Sequence, residues 1–286
     1  MKKVQFFGVF LVVFLIHSGP GFADDDGSGL PWKKGYINLG YYFAELDSSV
    51  RFGSTRLGIG IDLDMEELLG LDTTERAFRL DAGYRLGKTQ RHKVEFNWFK
   101  FKREGSRFLN LEVNIPELPD GSGGGSIGPG ESISTFYFDI AKFKYEYSFI
   151  LDKRIDFNVG AGLYVMPIEF GFTGTINGVG SSTVQEDITA PLPVVGVGFD
   201  LAISPKWYLR QQADFFYLEI SKYRGVISSL RLALEYLPWK HFGFGVGFDS
   251  LRVQIEAEDP DTPGIDFRGN VRFNAFGAQL YLKAYL

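Results

Sequence analysis

Apolar and polar residues alternate with a period of two along most of the chain after residue 34. The segment that begins at Ile155 is typical, because every second residue from there to Val165 is apolar. Successive side chains of a β-strand point to opposite faces of a sheet, so the pattern predicts strands with one apolar and one polar face. The alternation therefore restricts the chain to an all-β fold.

Ten segments carry this alternation. They lie at about 35–46, 74–87, 91–104, 132–150, 154–172, 188–203, 206–220, 224–237, 241–256 and 268–286. Gly occurs 35 times in the 286 residues, which is more than a helical protein tolerates. Between Ile140 and Ala141 the apolar residues change from one alternate list to the other, which predicts a bulge or the exit of this strand from the apolar layer.

The connections between these segments differ in length. Four are short, at residues 87–90, 151–153, 204–205 and 238–240. Four are long, at about 47–73, 105–131, 173–187 and 257–267, and the 221–223 connection is a short exception. Short turns at one end and long loops at the other are typical of transmembrane β-barrels. The predicted fold is a single antiparallel up-and-down barrel of about ten strands.

The first residues have the features of a secretory signal. Lys2 and Lys3 precede an apolar run from Phe6 to Ile16, which is too short for a transmembrane helix of about 20 residues. Gly21 and Ala23 supply the small residues of a signal-peptidase site. We expect residues 1–23 to be a cleaved signal peptide and residues 24–286 to form the barrel domain.

A membrane barrel is favoured over a secreted β-sandwich, the alternative fold with the same alternation. Long strands, the signal and the positions of Trp32, Trp207 and Trp239 at the short-turn end, where an interfacial aromatic girdle would lie, all support the barrel. Lipid offers no partner for the backbone of an edge strand, so the sheet must close. The polar list would then face the lumen.

The predicted lumen carries equal numbers of positive and negative charges. The positive residues are Arg79, Arg85, Lys142, Lys144, Arg210, Arg231 and Lys283. The negative residues are Asp81, Glu95, Glu146, Asp156, Asp214, Glu235 and Asp249. Equal charge indicates cross-lumen ion pairs in a narrow interior, whereas a ring of one sign would indicate an ion-selective pore. Seven glycines on three strands leave room for larger neighbours or for a small void.

The chain resembles the small, monomeric outer-membrane β-barrel proteins of Gram-negative bacteria, with an architecture like that of the OmpW and OmpX barrels. The signal, the alternation, the turn asymmetry and the terminal strand carry the resemblance. It implies an outer-membrane location, contact with outer-membrane lipid and lipopolysaccharide, and an assembly signal read by the barrel-assembly machinery at Gly277, Tyr281, Tyr285 and Leu286. The family usually ends on Phe or Trp, from which Leu286 departs.

The sequence indicates no catalytic, metal or cofactor site. The chain has no Cys, and its three His are His17 in the signal and His92 and His241 at short turns. A histidine-dependent catalytic unit at the outer rim is therefore not expected. The formal net charge of −5 argues against nucleic acid as a partner.

The sequence is compatible with two functions. The first is a non-catalytic barrel with an envelope-structural or surface-contact role and a charge-paired lumen. The alternative is a narrow pore or a lateral route for small, possibly hydrophobic solutes. The segment from Asp64 to Gly70 looks like one or two helical turns with Asp64 as the N-cap, either resting on the rim or partly closing the mouth.

Overall fold

The computed structural model describes residues 30–54, 59–66, 70–109, 113–117, 123–127, 130–175, 181–220, 223–257 and 269–286. The predicted signal peptide lies outside these ranges. The strands are β1 Gly35–Ser54, β2 Ile59–Asp64, β3 Thr74–Leu86, β4 His92–Leu109, β5 Val113–Glu117, β6 Gly123–Ile127, β7 Gly130–Leu151, β8 Ile155–Thr175, β9 Ser181–Ser204, β10 Trp207–Ile220, β11 Tyr223–Tyr236, β12 Phe242–Ala257 and β13 Gly269–Tyr285.

Ten of these strands form a closed antiparallel barrel, as the alternation predicts. Its order is β1-β3-β4-β7-β8-β9-β10-β11-β12-β13, and β13 pairs with β1 from Tyr285 opposite Tyr36 to Gly269 opposite Phe52. Strand β2 pairs with β1 beyond the end of β3, and β5 and β6 form a separate hairpin. No helix in the described part of the chain is long and apolar enough to cross a membrane.

The barrel has two ends of different construction. The turn end holds the short connections after β3, β7, β9 and β11, together with the C-terminal residue Leu286, whose backbone N–H donates to the carbonyl of Gly35. At the first of these turns Gly87 has a φ of 73°, a left-handed conformation that glycine adopts without strain. The loop end holds the long connections.

The outer face of the wall is a belt of exposed apolar side chains. Representative members, each at least two-fifths exposed, are Leu39, Tyr41, Phe43, Phe143, Val195, Leu232, Phe248 and Leu282. Their neighbours in sequence point into the lumen and are buried. Burying the polar list and exposing the apolar list is the reverse of a soluble protein, and it matches the requirements of a lipid environment.

The change of phase near Ile140 is not a bulge. Pairing between β7 and β8 keeps one register from Ser132 to Ser148, and the irregularity lies between Ser148 and Ile150. Ile140 and Lys142 both point inward and are buried. Of the two predicted explanations, the bulge is excluded and the exit of the strand from the apolar belt is supported, because the strand stays in phase while the chemistry of the lumen changes.

The described residues of the segment from Asp64 to Gly70 contain no helix. Asp64 is the last residue of β2 rather than a helix cap, and Met65 and Glu66 form a turn. Residues 67–69 lie outside the described residues. Gly70 has a φ of 69°, a left-handed conformation that glycine adopts without strain, and its predicted role as a helix stop stays a prediction.

Candidate functional site

The lumen is divided into two layers that differ in chemistry. The charged layer, toward the turn end, contains eight basic residues, Arg79, Arg85, Lys93, Lys142, Lys144, Arg210, Arg231 and Lys283, and eight acidic residues, Asp81, Glu95, Glu146, Asp156, Asp200, Asp214, Glu235 and Asp249. The apolar layer, toward the loop end, is built from aromatic and aliphatic side chains. All fourteen residues of the predicted lumen network lie in the charged layer.

One group of the charged layer is a square of two arginines and two aspartates. Arg79 donates from Nε to Asp81 at 3.0 Å and from Nη1 to Asp249 at 2.7 Å. Arg231 donates to the same two carboxylates at 3.1 and 3.2 Å. Asn97 adds a hydrogen bond of 2.9 Å to Asp81. Strands β3, β11 and β12 are thereby joined across the lumen, and each charge has two partners of opposite sign.

A second group is centred on three lysines. Lys142 and Lys144 contact Asp214 at 2.7 and 2.8 Å, and Lys144 also contacts Glu146 at 2.6 Å. Lys93 contacts Glu146 at 2.6 Å and continues the chain of alternating charges.

The chain of alternating charges ends at Glu95, which lies 3.0 Å from Lys93. The amide of Gln212 donates to Glu95 at 2.7 Å and to Glu146 at 3.0 Å. The Tyr36 hydroxyl also donates to Glu95, at 2.8 Å. Charges buried in a barrel of this width are tolerated because each is paired and hydrogen-bonded.

The remaining charges lie nearest the turn end. Glu235 receives hydrogen bonds from Arg210 and Lys283, both at 2.7 Å, and from the Tyr281 hydroxyl at 2.8 Å. Arg210 also contacts Asp200 at 2.5 Å. A separate ion pair joins Arg85 to Asp156.

The predicted set of lumen charges does not include two members of the charged layer, Lys93 and Asp200. Lys93 precedes the predicted lumen residue Glu95 by two positions, and Asp200 follows the lumen glycine Gly198 by two. Extending the alternation by one step toward the turn end identifies both. With them the layer stays electrically balanced.

Two lumen glycines leave room for tyrosine rings, and a third, Gly198, lines a small cavity. A Cβ on Gly245 would collide with the ring of Tyr281, its direct partner on β13, and one on Gly83 would collide with the ring of Tyr36 on β1. One cavity of about 40 Å³ lies between Lys93, Asp200 and Lys283. Such a volume holds a few water molecules.

The apolar layer fills the lumen toward the loop end. Phe101, Phe136 and Phe138 are buried around Phe273, and the ring centroids of Phe138 and Phe273 are 4.4 Å apart. Twenty-two buried residues form this single cluster. The alternation predicts polar side chains along the whole lumen, and the apolar layer shows that this prediction is wrong toward the loop end. Strands that leave lipid no longer need an apolar outer face, so they can turn apolar residues inward.

A gap in the wall lies beside the apolar layer. Backbone pairing between β3 and β4 ends at Arg79 opposite Phe99, although β3 extends to Thr74 and β4 to Leu109. The backbone at Gly70 occupies the gap, because a Cβ on Gly105 would lie 2.5 Å from its carbonyl oxygen. Lys100 and Lys102 are exposed on the outside at this level, so the gap lies beyond the apolar belt.

The segment in the gap is held by both apolar and polar contacts. Met65 and Leu71 are buried in the apolar layer. The guanidinium of Arg103 donates to the carbonyl of Asp72 at 2.6 Å and to the carboxylate of Glu66 at 2.5 Å. We call residues 65–72, apart from 67–69, the inserted segment. It closes the gap in the wall, whereas the predicted helix was placed on the rim or over the mouth of the barrel, and its described residues contain no helix.

The turn end is closed by Trp32. Its indole Nε1 donates to the carbonyl of Asp152 at 2.7 Å, and its ring packs on Tyr208 with centroids 6.0 Å apart. The side chain is 2% exposed, so the prediction of an outward-facing aromatic is wrong for Trp32. Trp207 and Trp239 do face outward, at 41% and 60% exposure. Trp32 points inward because residues 30–34 run across the mouth before β1 begins.

The residues of the predicted assembly signal lie in three different environments. Tyr281 and Tyr285 face the lumen, Gly277 lies against the backbone of Phe43, and Leu286 is exposed. These positions do not test the predicted assembly signal, which stays a prediction.

The two described histidines lie at the turn end. His92 bonds through Nδ1 to the Tyr145 hydroxyl at 2.6 Å on the outer face, and His241 is exposed. Within the described ranges, no group of three or more His, Cys, Asp and Glu residues could hold a metal ion.

Comparison with known proteins supports the fold. The chain is similar to the outer membrane protease OmpT from Escherichia coli, with a TM-score of 0.51 and 11% identity over 88% of this chain and 97% of that one. No protein-family model matches the chain, and no curated protein matches its sequence.

Two other solved barrels match with lower scores. Ail of Yersinia pestis has a TM-score of 0.33 and 10% identity, over 87% of this chain and 99% of that one. The toluene transporter TodX of P. putida has a TM-score of 0.35 and 8% identity, over 91% and 92%. The likeness to OmpT, with its TM-score of 0.51, confirms the resemblance to a Gram-negative outer-membrane β-barrel as a resemblance of fold.

Proposed function

We propose that this protein is a non-catalytic, closed outer-membrane β-barrel that acts through its loop end and does not conduct ions. The observation that carries the proposal is the filled lumen. Along the barrel axis from the turn end, Trp32 is followed by the balanced charged layer and then by the apolar layer. A permeating ion would have to break buried ion pairs and then cross a dry apolar layer, and both steps are costly.

The exposed apolar belt supports insertion into a membrane, and the ten-strand closure supports an outer membrane of the Gram-negative type. The turn end would face the periplasm and the loop end the outside. Outer-membrane lipid and lipopolysaccharide would surround a single barrel, after insertion by the barrel-assembly machinery. The surface partner of such a barrel would be recognised at the loop end.

The absence of catalysis is part of the proposal. OmpT is a protease, but the shared fold carries no activity to this chain. The described histidines, His92 and His241, lie at the opposite end from any external substrate. Protease, lipase and esterase assays of the refolded protein should give no turnover above that of a heat-unfolded sample.

A second candidate function is a lateral route for small apolar molecules. The gap between β3 and β4 favours it, because the inserted segment and not a strand closes the wall there. Such a route would leave the charged layer untouched and would not carry ions.

Conductance in a planar bilayer tests the proposal. The refolded mature chain, checked by heat-modifiable gel mobility, should give no steady openings. A Trp32→Ala variant should stay silent as well, since the two layers remain. Stable openings of the unaltered chain would contradict the proposal and favour a narrow pore.

A further inference from the structure

The carboxylate of Glu66 sits in a set of donors arranged for an anion. Its Oε1 accepts from the Ser48 hydroxyl at 2.7 Å and from Arg103 Nη2 at 2.5 Å, and its Oε2 accepts from the Ser48 backbone N–H at 3.0 Å. Both carboxylate oxygens of Glu66 therefore accept hydrogen bonds, and the bond from Arg103 is charge-assisted. Arg103 and Ser48 are each 1% exposed, so the donors belong to the interior.

Arg103 is placed where a cation is costly. It follows Phe99 and Phe101 on the same inward list of β4, next to the apolar layer. Besides Glu66, its partners are neutral: the Ser48 hydroxyl at 2.8 Å and the Asp72 carbonyl. A buried guanidinium with one anionic partner requires that partner or a substitute for it.

The anion that satisfies Arg103 belongs to the inserted segment rather than to the barrel wall. The same segment places Met65 and Leu71 in the apolar layer. It thus presents one carboxylate to Arg103 and apolar side chains to the lumen, and it does so through the gap between β3 and β4. A separate molecule with a carboxylate head and an apolar chain has the same two chemical parts.

We infer that Ser48 and Arg103 form a binding site for a long-chain carboxylate, and that Glu66 with the inserted segment occupies this site until such a ligand displaces it. The ligand head would take the place of the Glu66 carboxylate, and its chain would take the space of Met65 and Leu71. The gap opens beyond the apolar belt, where an amphiphile in the outer leaflet has its head. The inference stands apart from the proposed lack of conductance, because the site lies beside the lumen and not across it.

Removing the Glu66 carboxylate, which occupies the site in the structure, tests the inference. Octanoate is titrated by calorimetry into the full barrel in detergent, using the unaltered chain, Glu66→Ala, and the double variant Glu66→Ala with Arg103→Met. Octan-1-ol, which has the same chain without the charge, is the ligand control. Glu104→Ala, which removes an exposed carboxylate from the outer face of β4, is the matched protein control.

Glu66→Ala should bind octanoate at least tenfold more tightly than the unaltered chain and should discriminate against octan-1-ol. The double variant should lose this binding, and Glu104→Ala should behave as the unaltered chain. Equal affinity of Glu66→Ala and the unaltered chain would overturn the inference. Equal affinity for octanoate and octan-1-ol would overturn it too, because apolar partitioning alone would then explain the signal.

A second measurement needs no variant of the site. Once the predicted signal is removed, the only methionines are Met65 on the inserted segment and Met166 on β8. With ¹³C-methyl methionine, excess octanoate should move the Met65 methyl resonance toward its exposed position, with the Met166→Leu variant providing the assignment. If both resonances stay unchanged at saturating octanoate, the inserted segment is a fixed part of the wall and the inference fails.

Discussion

The charged layer and the apolar layer close the same lumen by different means. The charged layer is held by directed ion pairs and hydrogen bonds, and each of its residues has a defined partner on another strand. The apolar layer is held by contact among twenty-two buried side chains without defined partners. We therefore expect substitutions in the charged layer to lower the free energy of unfolding by removing ion-pair partners. Substitutions in the apolar layer should lower it by removing packed side-chain volume.

The largest effect is expected when a central cation of the charged layer is removed. Arg210→Met leaves Asp200 without its cation and Glu235 with Lys283 alone. We expect a loss of about 3–5 kcal/mol in the free energy of unfolding, because a buried charge loses its partner. Urea titration in phospholipid vesicles measures it.

The control for that prediction is an exposed ion pair on the outer face. Arg224 and Glu256 are 3.9 Å apart and partly exposed. Arg224→Met should cost about 0–1 kcal/mol. Similar losses for the two variants would mean that the charged layer is open to water.

The next largest effect is expected on the outer face of the barrel wall, in the apolar belt. Leu232 faces outward in the apolar belt, and Leu232→Arg should cost about 2–4 kcal/mol if it lies near the membrane midplane. Ser228→Arg, on the same face of β11 at the loop-end border of the belt, should cost about 0–1 kcal/mol. Equilibrium folding into vesicles compares the two. Normal folding of Leu232→Arg would show that the faces are assigned the wrong way round.

A smaller effect is expected from crowding in the charged layer. Gly245→Ala forces the ring of Tyr281 away from the wall and strains its hydrogen bond to Glu235. The expected loss is about 1–3 kcal/mol. Combining Gly245→Ala with Tyr281→Phe should restore none of it, since the ring remains, whereas Tyr281→Ala should relieve the crowding. A neutral Gly245→Ala would mean that the lumen is less tightly filled than described.

The smallest effect is a volume change in the apolar layer. Ile227 is fully buried there, and Ile227→Val removes one methylene. We expect a loss of about 0.5–1.5 kcal/mol with no change in gel mobility. A loss as large as that of Arg210→Met would imply that Ile227 has a specific role beyond filling space.

Local alternation was enough to predict the ten strands and the inward position of the fourteen charged residues, because strand geometry fixes the face of every second side chain. It also contains the signal for Lys93 and Asp200, one step beyond the predicted set. The pairing of Arg103 with Glu66 could not be read in this way, since it joins residues 37 positions apart through a segment that is not a barrel strand.

Two errors came from treating one rule as uniform along the barrel. The apolar layer turns Ile140 and Phe138 inward because that part of the wall lies beyond the apolar belt. Trp32 was assigned by its place near a turn, yet it precedes β1 and is free to fold into the mouth. The change of apolar phase between Ile140 and Ala141 marked one such exit in the sequence, but alternation alone does not show where the other strands leave the apolar belt.

Single-cysteine labelling tests the closed lumen most directly, because the chain contains no Cys. Ala233→Cys reports on the charged layer and Ala275→Cys on the apolar layer, while Glu104→Cys is an exposed control. A charged, membrane-impermeant thiol reagent should label the control within minutes and both lumen positions only after heat unfolding. Rapid labelling of either lumen cysteine in the folded barrel would contradict a lumen closed by two filled layers.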